Sequence, residues 1–251
     1  MTSVTRAIKN FKQPYGGFLK VKEFMKEKYD DEFSLNSEES IPPGTVGLVT
    51  EYLTEFMLGI DKVKVFSVSI HSARIVDSSD SFLDSLNNIQ GLDDASIINA
   101  CKLSACYVIY RAGPQHYKPI EDFDVDKNTI ENIRAMVKRS LYFFENNGPV
   151  IESGFNFKGA YTNKILTGDG DILTEDGLWD MKVSKNNFTS KQTLQLLVYY
   201  LMGLKSENRD KFIKIEKIGL FNPRLNTAYY KFIKDIPEEV IERVKKEVIG
   251  Y

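Results

Sequence analysis

The Asp176-Gly177 pair constrains this chain more than any other feature. It lies in the stretch Gly168-Asp-Gly-Asp171-Ile-Leu-Thr-Glu-Asp-Gly177-Leu-Trp-Asp180-Met-Lys182-Val-Ser184. Asp-Gly between apolar runs is a strong hairpin signal, because both central residues of a type I′ turn need positive φ. With those residues as the loop, Glu175 faces Leu178, Leu173 faces Asp180 and Asp171 faces Lys182. Side chains alternate between the two faces of a strand. Asp171, Asp180 and Lys182 therefore share one face, while Ile172, Trp179, Met181 and Val183 share the other, which is apolar and is expected to pack into the core. Gathering two carboxylates and an ammonium on one face carries a desolvation cost. The grouping makes sense around a hard divalent cation, Mg²⁺ or Mn²⁺, which takes oxygen ligands.

The next segment adds to this pattern. Ser190 to Leu204 has no Pro, and no Gly before Gly203, and its apolar residues recur at helical spacing. Gln192, Gln195 and Tyr199 fall on one stripe of that helix, flanked by Leu196 and Met202, so both glutamines need partners.

The ordered set Asp171, Asp180-x-Lys182 and Gln195-x-x-x-Tyr199 resembles the PD-(D/E)XK nuclease superfamily, in particular its RecB-like and lambda-exonuclease-like branch. Gly168-Asp-Gly-Asp171 is similar to that branch's Gly-x-x-Asp strand. Pro43-Gly44-Thr-Val-Gly47-Leu-Val-Thr-Glu51 is similar to its earlier helix, with Glu51 where His is commoner. The resemblance implies an α/β, restriction-endonuclease-like core: a mixed β-sheet flanked by helices, with a helical N-terminal region or insertion. It also implies a metal-dependent nuclease acting on nucleic acid, foremost DNA. Asp171, Asp180 and the Met181 carbonyl would hold Mg²⁺ or Mn²⁺, and Glu51 could complete a second metal site. Lys182 would orient the attacking water or act as a base, Gln195 would position Lys182 or a phosphate, and Tyr199 and Gln192 would support them. Asp169 has the same parity as Asp171 and is the rival ligand. Two other functions remain open: a non-catalytic nucleic-acid- or protein-binding module on the same fold, and a ligand-activated nuclease effector. The plainest alternative is a hairpin with a surface salt bridge, followed by a polar-edged helix.

The chain has 251 residues, of which 27% are charged and 42% hydrophobic, enough for one globular domain with an insertion. No apolar run is long enough to span a membrane. Met1-Thr-Ser-Val-Thr has no apolar stretch behind it, so no secretory signal is expected and the chain is expected to be cytoplasmic. The net charge of −2 means that any nucleic-acid contact must come from local basic patches. A homo-oligomer or a targeting partner protein is compatible with the absence of a recognisable recognition domain. Cys101 and Cys106 lie about 140° apart on a helix, so they read as reduced core cysteines and not as a bridge or a metal site.

Residues 1–30 are mildly basic, with Arg6, Lys9, Lys12, Lys20, Lys22, Lys26 and Lys28. They read as a phosphate-binding arm or a solvated basic face, with a short helix over Phe18 to Tyr29. Asp30 to Pro43 is a loop, and Thr45 to Leu58 is a helix with Glu51 and Glu55 away from its apolar stripe. By that helical wheel Glu51 is a surface carboxylate, and by the motif it is a metal ligand. Residues 62–148 read as a mainly helical insertion. Within it Lys62 to Ile89 is ambiguous, and capped helices begin near Asp93 and Asp126. His71 and His116 have no nucleophile or metal-ligand partner at a recognisable spacing. Strands are expected at Phe155 to Lys164, Phe212 to Phe221 and Thr227 to Ile233, with a final helix after Pro237.

Overall fold

The computed structural model describes residues 2–76, 81–117 and 124–251. In chain order the elements are α1 (Val4–Asn10), β1 (Met25–Lys28), α2 (Pro43–Met57), α3 (Lys62–Val65), α4 (Ser67–Val76) and α5 (Ser81–Asn87). They continue with α6 (Asp94–Ala105), α7 (Tyr107–Ala112), α8 (Lys127–Asn147), β2 (Val150–Asn156), β3 (Asp169–Thr174) and β4 (Gly177–Met181). The chain closes with α9 (Ser190–Gly203), α10 (Arg209–Phe212), β5 (Lys217–Asn222), β6 (Thr227–Phe232) and α11 (Glu238–Arg243). It forms two compact units, one of residues 1–29 with 144–251 and one of residues 30–143. The helical unit thus begins at Asp30, ahead of residue 62 where the sequence places the insertion, and it takes in α2 with Glu51. No helix among the described residues is long and apolar enough to cross a membrane.

In the helical unit the expected helix over 45–58 forms as α2. Pro43 in its first turn starts it without wasting a backbone donor. The ambiguous span becomes α3, α4 and α5, so Val63-Lys-Val-Phe66 enters a helix and not a strand. Residues 77–80 of that span lie outside the described residues. Asp93 caps α6 by accepting from the Ser96 N–H, but the helix expected to run to Tyr110 breaks at Cys106 into α6 and α7. Both cysteines are buried and unbridged. The long loop before α2 is tied down from α8. Arg139 pairs with Asp31 at 2.5 Å, Asn132 donates to the Asn36 carbonyl at 3.0 Å, and Thr129 accepts from Ser40 N–H at 2.8 Å.

The other unit is an α/β layer. Among the described residues its strands form one six-stranded mixed sheet in the order β1-β6-β5-β4-β3-β2, flanked by helices. Only β4 and β5 run parallel, and α9 is the crossover between them. The segment expected as a helix over 18–29 instead gives a single 3₁₀ turn and then β1, an edge strand with all four residues exposed. Such a strand lacks the alternation that marks half-buried strands. Its Lys and Glu side chains suit an edge, where charge discourages pairing with other chains. The strand expected at 155–164 starts earlier, at Val150, and stops at Asn156. The strand expected from Phe212 starts at Lys217, because Arg209–Phe212 is helical.

The hairpin forms, but its register differs from the Asp-Gly prediction by two residues. Ile172 pairs with Trp179 and Leu173 with Leu178, so the turn is Glu175-Asp176 and Gly177 is a strand residue outside the positive-φ set. The cause lies outside the hairpin. The Asp176 carbonyl accepts from the Glu216 and Lys217 N–H groups at 2.8 and 3.1 Å, and its carboxylate pairs with Lys217 at 3.0 Å. A shift of two leaves every side chain on its original face. Asp171, Leu173, Leu178 and Asp180 therefore share a face as expected, and Asp171 now lies opposite Asp180.

The core runs under the carboxylate face. Leu173, Leu178, Ile218 and Leu220 pack with Leu194, Leu197, Leu201 and Met202 of α9 in one apolar cluster. The expectation that the Trp179 face packs into the core holds, with Ile172, Trp179 and Met181 buried, and the carboxylate face is buried as well, since all five residues of β4 are buried. On the far face Trp179 lies over Gly219, its neighbour on β5, where an added Cβ would come within 2.2 Å of the indole. Gly219→Ala should therefore destabilise the protein by about 1–3 kcal/mol through overpacking. Gly44→Ala, where an added Cβ meets nothing, should be neutral or stabilising by up to about 1 kcal/mol. Urea unfolding of the two variants checks the contrast.

Candidate functional site

Asp180 sits near the end of β4 and is only 1% exposed. Neither of its carboxylate oxygens receives a hydrogen bond of sound geometry. Its close contact is the Lys182 ammonium, 2.6 Å from Oδ2 but off the hydrogen-bond direction. A buried carboxylate without donors is costly, and such groups in native proteins call for an explanation. Across the hairpin the half-buried Asp171 accepts the Met181 N–H at 2.9 Å through Oδ2. This side-chain bond forms where the β3–β4 ladder gives out. Lys182 follows the strand, with its N–H held by the Phe221 carbonyl at 2.9 Å and its side chain 30% exposed.

The charges are strongly coupled. Burial, and then the Asp171 charge, push the Asp180 carboxyl well above the usual carboxylate range, against the pull of Lys182. Burial works against the charge on Lys182, but Asp180 and then Asp171 outweigh it, so the ammonium is held protonated. Burial and the Asp171 charge likewise raise Asp169, which is exposed at the start of β3.

α9 supplies the remaining members. Its capping box explains where it starts, because the Gln192 side chain accepts from the Thr189 N–H at 2.7 Å. Gln192 is thus engaged in capping the helix. Gln195 donates to the Tyr199 hydroxyl at 2.6 Å and to Thr5 of α1 at 3.4 Å. No hydrogen bond joins Gln195 to Lys182, the partner suggested by the sequence. Tyr199 is buried and stacks on Phe157 with centroids 5.1 Å apart. Burial, and then the charges of Asp180 and Asp171, raise its hydroxyl pKa, so Tyr199 lies within electrostatic reach of the pair. Thr5 and Phe157 had no sequence signal, since both contacts are long-range. Asn222 lies between the last two expected strands and had no site signal. It is fully buried and ties down the chain after Lys182, donating to the Ser184 carbonyl at 2.8 Å.

Among the described residues no group of three or more His, Cys, Asp or Glu is gathered to hold a metal. The hairpin supplies a carboxylate pair, and Glu51 sits half-buried on α2 in the other unit. The pair still suits Mg²⁺, which is commonly held by one or two carboxylates and completed by water. Neither oxygen of Asp180 has a hydrogen bond of sound geometry, and its paired cation is Lys182. No family model, curated protein or solved structure matches the chain.

A pH dependence follows for the metal-free protein. The native state holds the Asp180 proton more tightly than the unfolded chain does. This stabilisation is present at acid pH and is lost as pH rises from about 4 through the raised native value. Asp180→Asn should flatten that decline and melt at or above the parent temperature at pH 8 in chelator. One pKa unit corresponds to about 1.4 kcal/mol, enough to read in melting curves.

Proposed function

We propose that the protein is a metal-dependent nuclease of the PD-(D/E)XK type, hydrolysing phosphodiester bonds in nucleic acid, foremost DNA. The reading rests on the buried Asp180, which lacks donors, lies opposite Asp171 and is followed by Lys182. Supporting it, the run of β2, β3 and β4, then α9 and the parallel β5, has the order of a restriction-endonuclease-like core. Repair, recombination and anti-phage defence are settings in which such an activity would serve.

Asp171 and Asp180 would hold the cation. Bound Mg²⁺ or Mn²⁺ supplies charge neutralisation on the phosphate and a more acidic water. Asp171 is kept in place by the Met181 N–H, so the pair is oriented before substrate arrives. Lys182 is partly exposed, so its ammonium can face an incoming phosphate or hold the attacking water. Gln195 and Tyr199, hydrogen-bonded to each other on α9, would flank the pair. Glu51 stays a proposed ligand of a second metal site on the strength of the Gly47-to-Glu51 resemblance alone.

Digestion of linear and circular DNA with Mn²⁺, run beside titration calorimetry, tests the proposal. Asp180→Asn should bind Mn²⁺ far more weakly and lose cleavage by about 10²-fold or more. Lys182→Ala should bind the ion as well as the parent or better, because a nearby positive charge is gone, while cleavage falls by a similar factor. Normal cleavage by Lys182→Ala at saturating metal would reduce the lysine to a counter-ion and remove the main support for a nuclease.

A further inference from the structure

The net charge of −2 hides an uneven distribution. Residues 1–22 contain Arg6, Lys9, Lys12, Lys20 and Lys22 and no acidic residue. Residues 181–206 contain Lys182, Lys185, Lys191 and Lys205, again with no acidic residue. The fold interlocks these two stretches. Gln13 donates to the Ser190 carbonyl at 3.1 Å, Lys191 to the Lys9 carbonyl at 3.3 Å, and Thr193 to the Leu19 carbonyl at 2.7 Å. Gln195 reaches Thr5 at 3.4 Å. Basic residues of the two stretches therefore lie together beside α9, and at the edge Lys20 pairs with Glu23 at 3.8 Å.

A tyrosine is displayed on this surface. Tyr15 is 104% exposed, the highest value among the exposed large hydrophobic residues. A lone exposed aromatic is ordinary, but this one is mounted on a fixed turn. Gly17 N–H donates to the Pro14 carbonyl at 2.9 Å, and Gly16 and Gly17 take φ of 81° and 88°, closed to most side chains. An added Cβ on Gly17 would lie 2.5 Å from Ser190 Cβ, so the turn rests directly on the first residue of α9. The Gln13 side chain accepts the Phe18 N–H at 3.2 Å, and Phe18 and Leu19 are buried behind. An exposed ring on a fixed turn beside lysines is the combination that single-stranded nucleic acid uses: bases stack on the aromatic while cations follow the phosphates.

We infer that this surface binds an unpaired nucleotide strand leading to the carboxylate pair, with phosphates along Lys9, Lys12 and Lys191 and one base stacked on Tyr15. The inference rests on the nuclease reading for its orientation but not for its test. The full chain in chelator, where cleavage cannot occur, is titrated against a fluorescent oligodeoxynucleotide of about 12 residues. Tyr15→Ala should weaken binding about tenfold, and Tyr15→Phe should bind within about twofold of the parent, since stacking needs the ring and not the hydroxyl. Lys12→Ala should weaken binding to strands of different sequence alike and reduce the salt slope by about 0.7. Tyr15 and Lys12 are exposed, so melting temperatures should be unchanged in all three variants. No binding by the parent, full affinity in Tyr15→Ala, or a Tyr15→Phe as weak as Tyr15→Ala would each overturn the inference. Strand binding of this pattern with no metal-dependent cleavage would leave the inference standing and sink the nuclease reading alone.

Discussion

A carboxylate at the end of β4 has been taken out of water without being given donors. Asp180 is buried under α9, faces Asp171, and has for compensation only an off-axis ammonium two residues further on. Two aligned carboxylates with one lysine are a poor way to stabilise a sheet. Their surroundings hold them there regardless. The apolar cluster of β3, β4, β5 and α9 fixes the strands, the Met181 N–H fixes Asp171, and Asn222 anchors the chain beyond Lys182. The protein tolerates an unfavourable charge arrangement at a place where the rest of the packing is tight. A buried, perturbed pair of this kind is a candidate functional site.

Much of this was legible in the sequence, and the failures have physical causes. The sharing of a face by Asp171 and Asp180 follows from strand parity, and parity survives a register shift of two. The shift itself could not be read locally, because the turn is selected by Glu216 and Lys217 from β5. Parity also cannot say which face a helix will cover, so the burial of the carboxylate face under α9 was not legible. The helix carrying Gln195 and Tyr199 announces itself by composition and apolar spacing, while the capping box that joins Thr189 to Gln192 was not read from the sequence.

Some elements were misread for want of an apolar pattern. β1 has four exposed residues and is a strand only because β6 offers it an edge. α2 was expected to carry its two glutamates away from the apolar stripe, yet Glu55 is buried and Glu51 half-buried. The side of α2 opposite its stripe is therefore not plain solvent. The basic N-terminal stretch read first as a solvated face and second as a phosphate-binding arm. Its interlock with α9 distinguishes it from an ordinary charged tail, and that interlock is built from backbone carbonyls that no sequence pattern reveals.

The most direct measurement is anomalous scattering from crystals soaked in Mn²⁺. An ion within bonding distance of both Asp171 and Asp180, completed by water, is the result expected if the buried carboxylate exists to hold a cation. A map with no ion at the pair under saturating Mn²⁺, with the Lys182 ammonium still seated on Asp180, would contradict it and leave the hairpin a buried salt bridge.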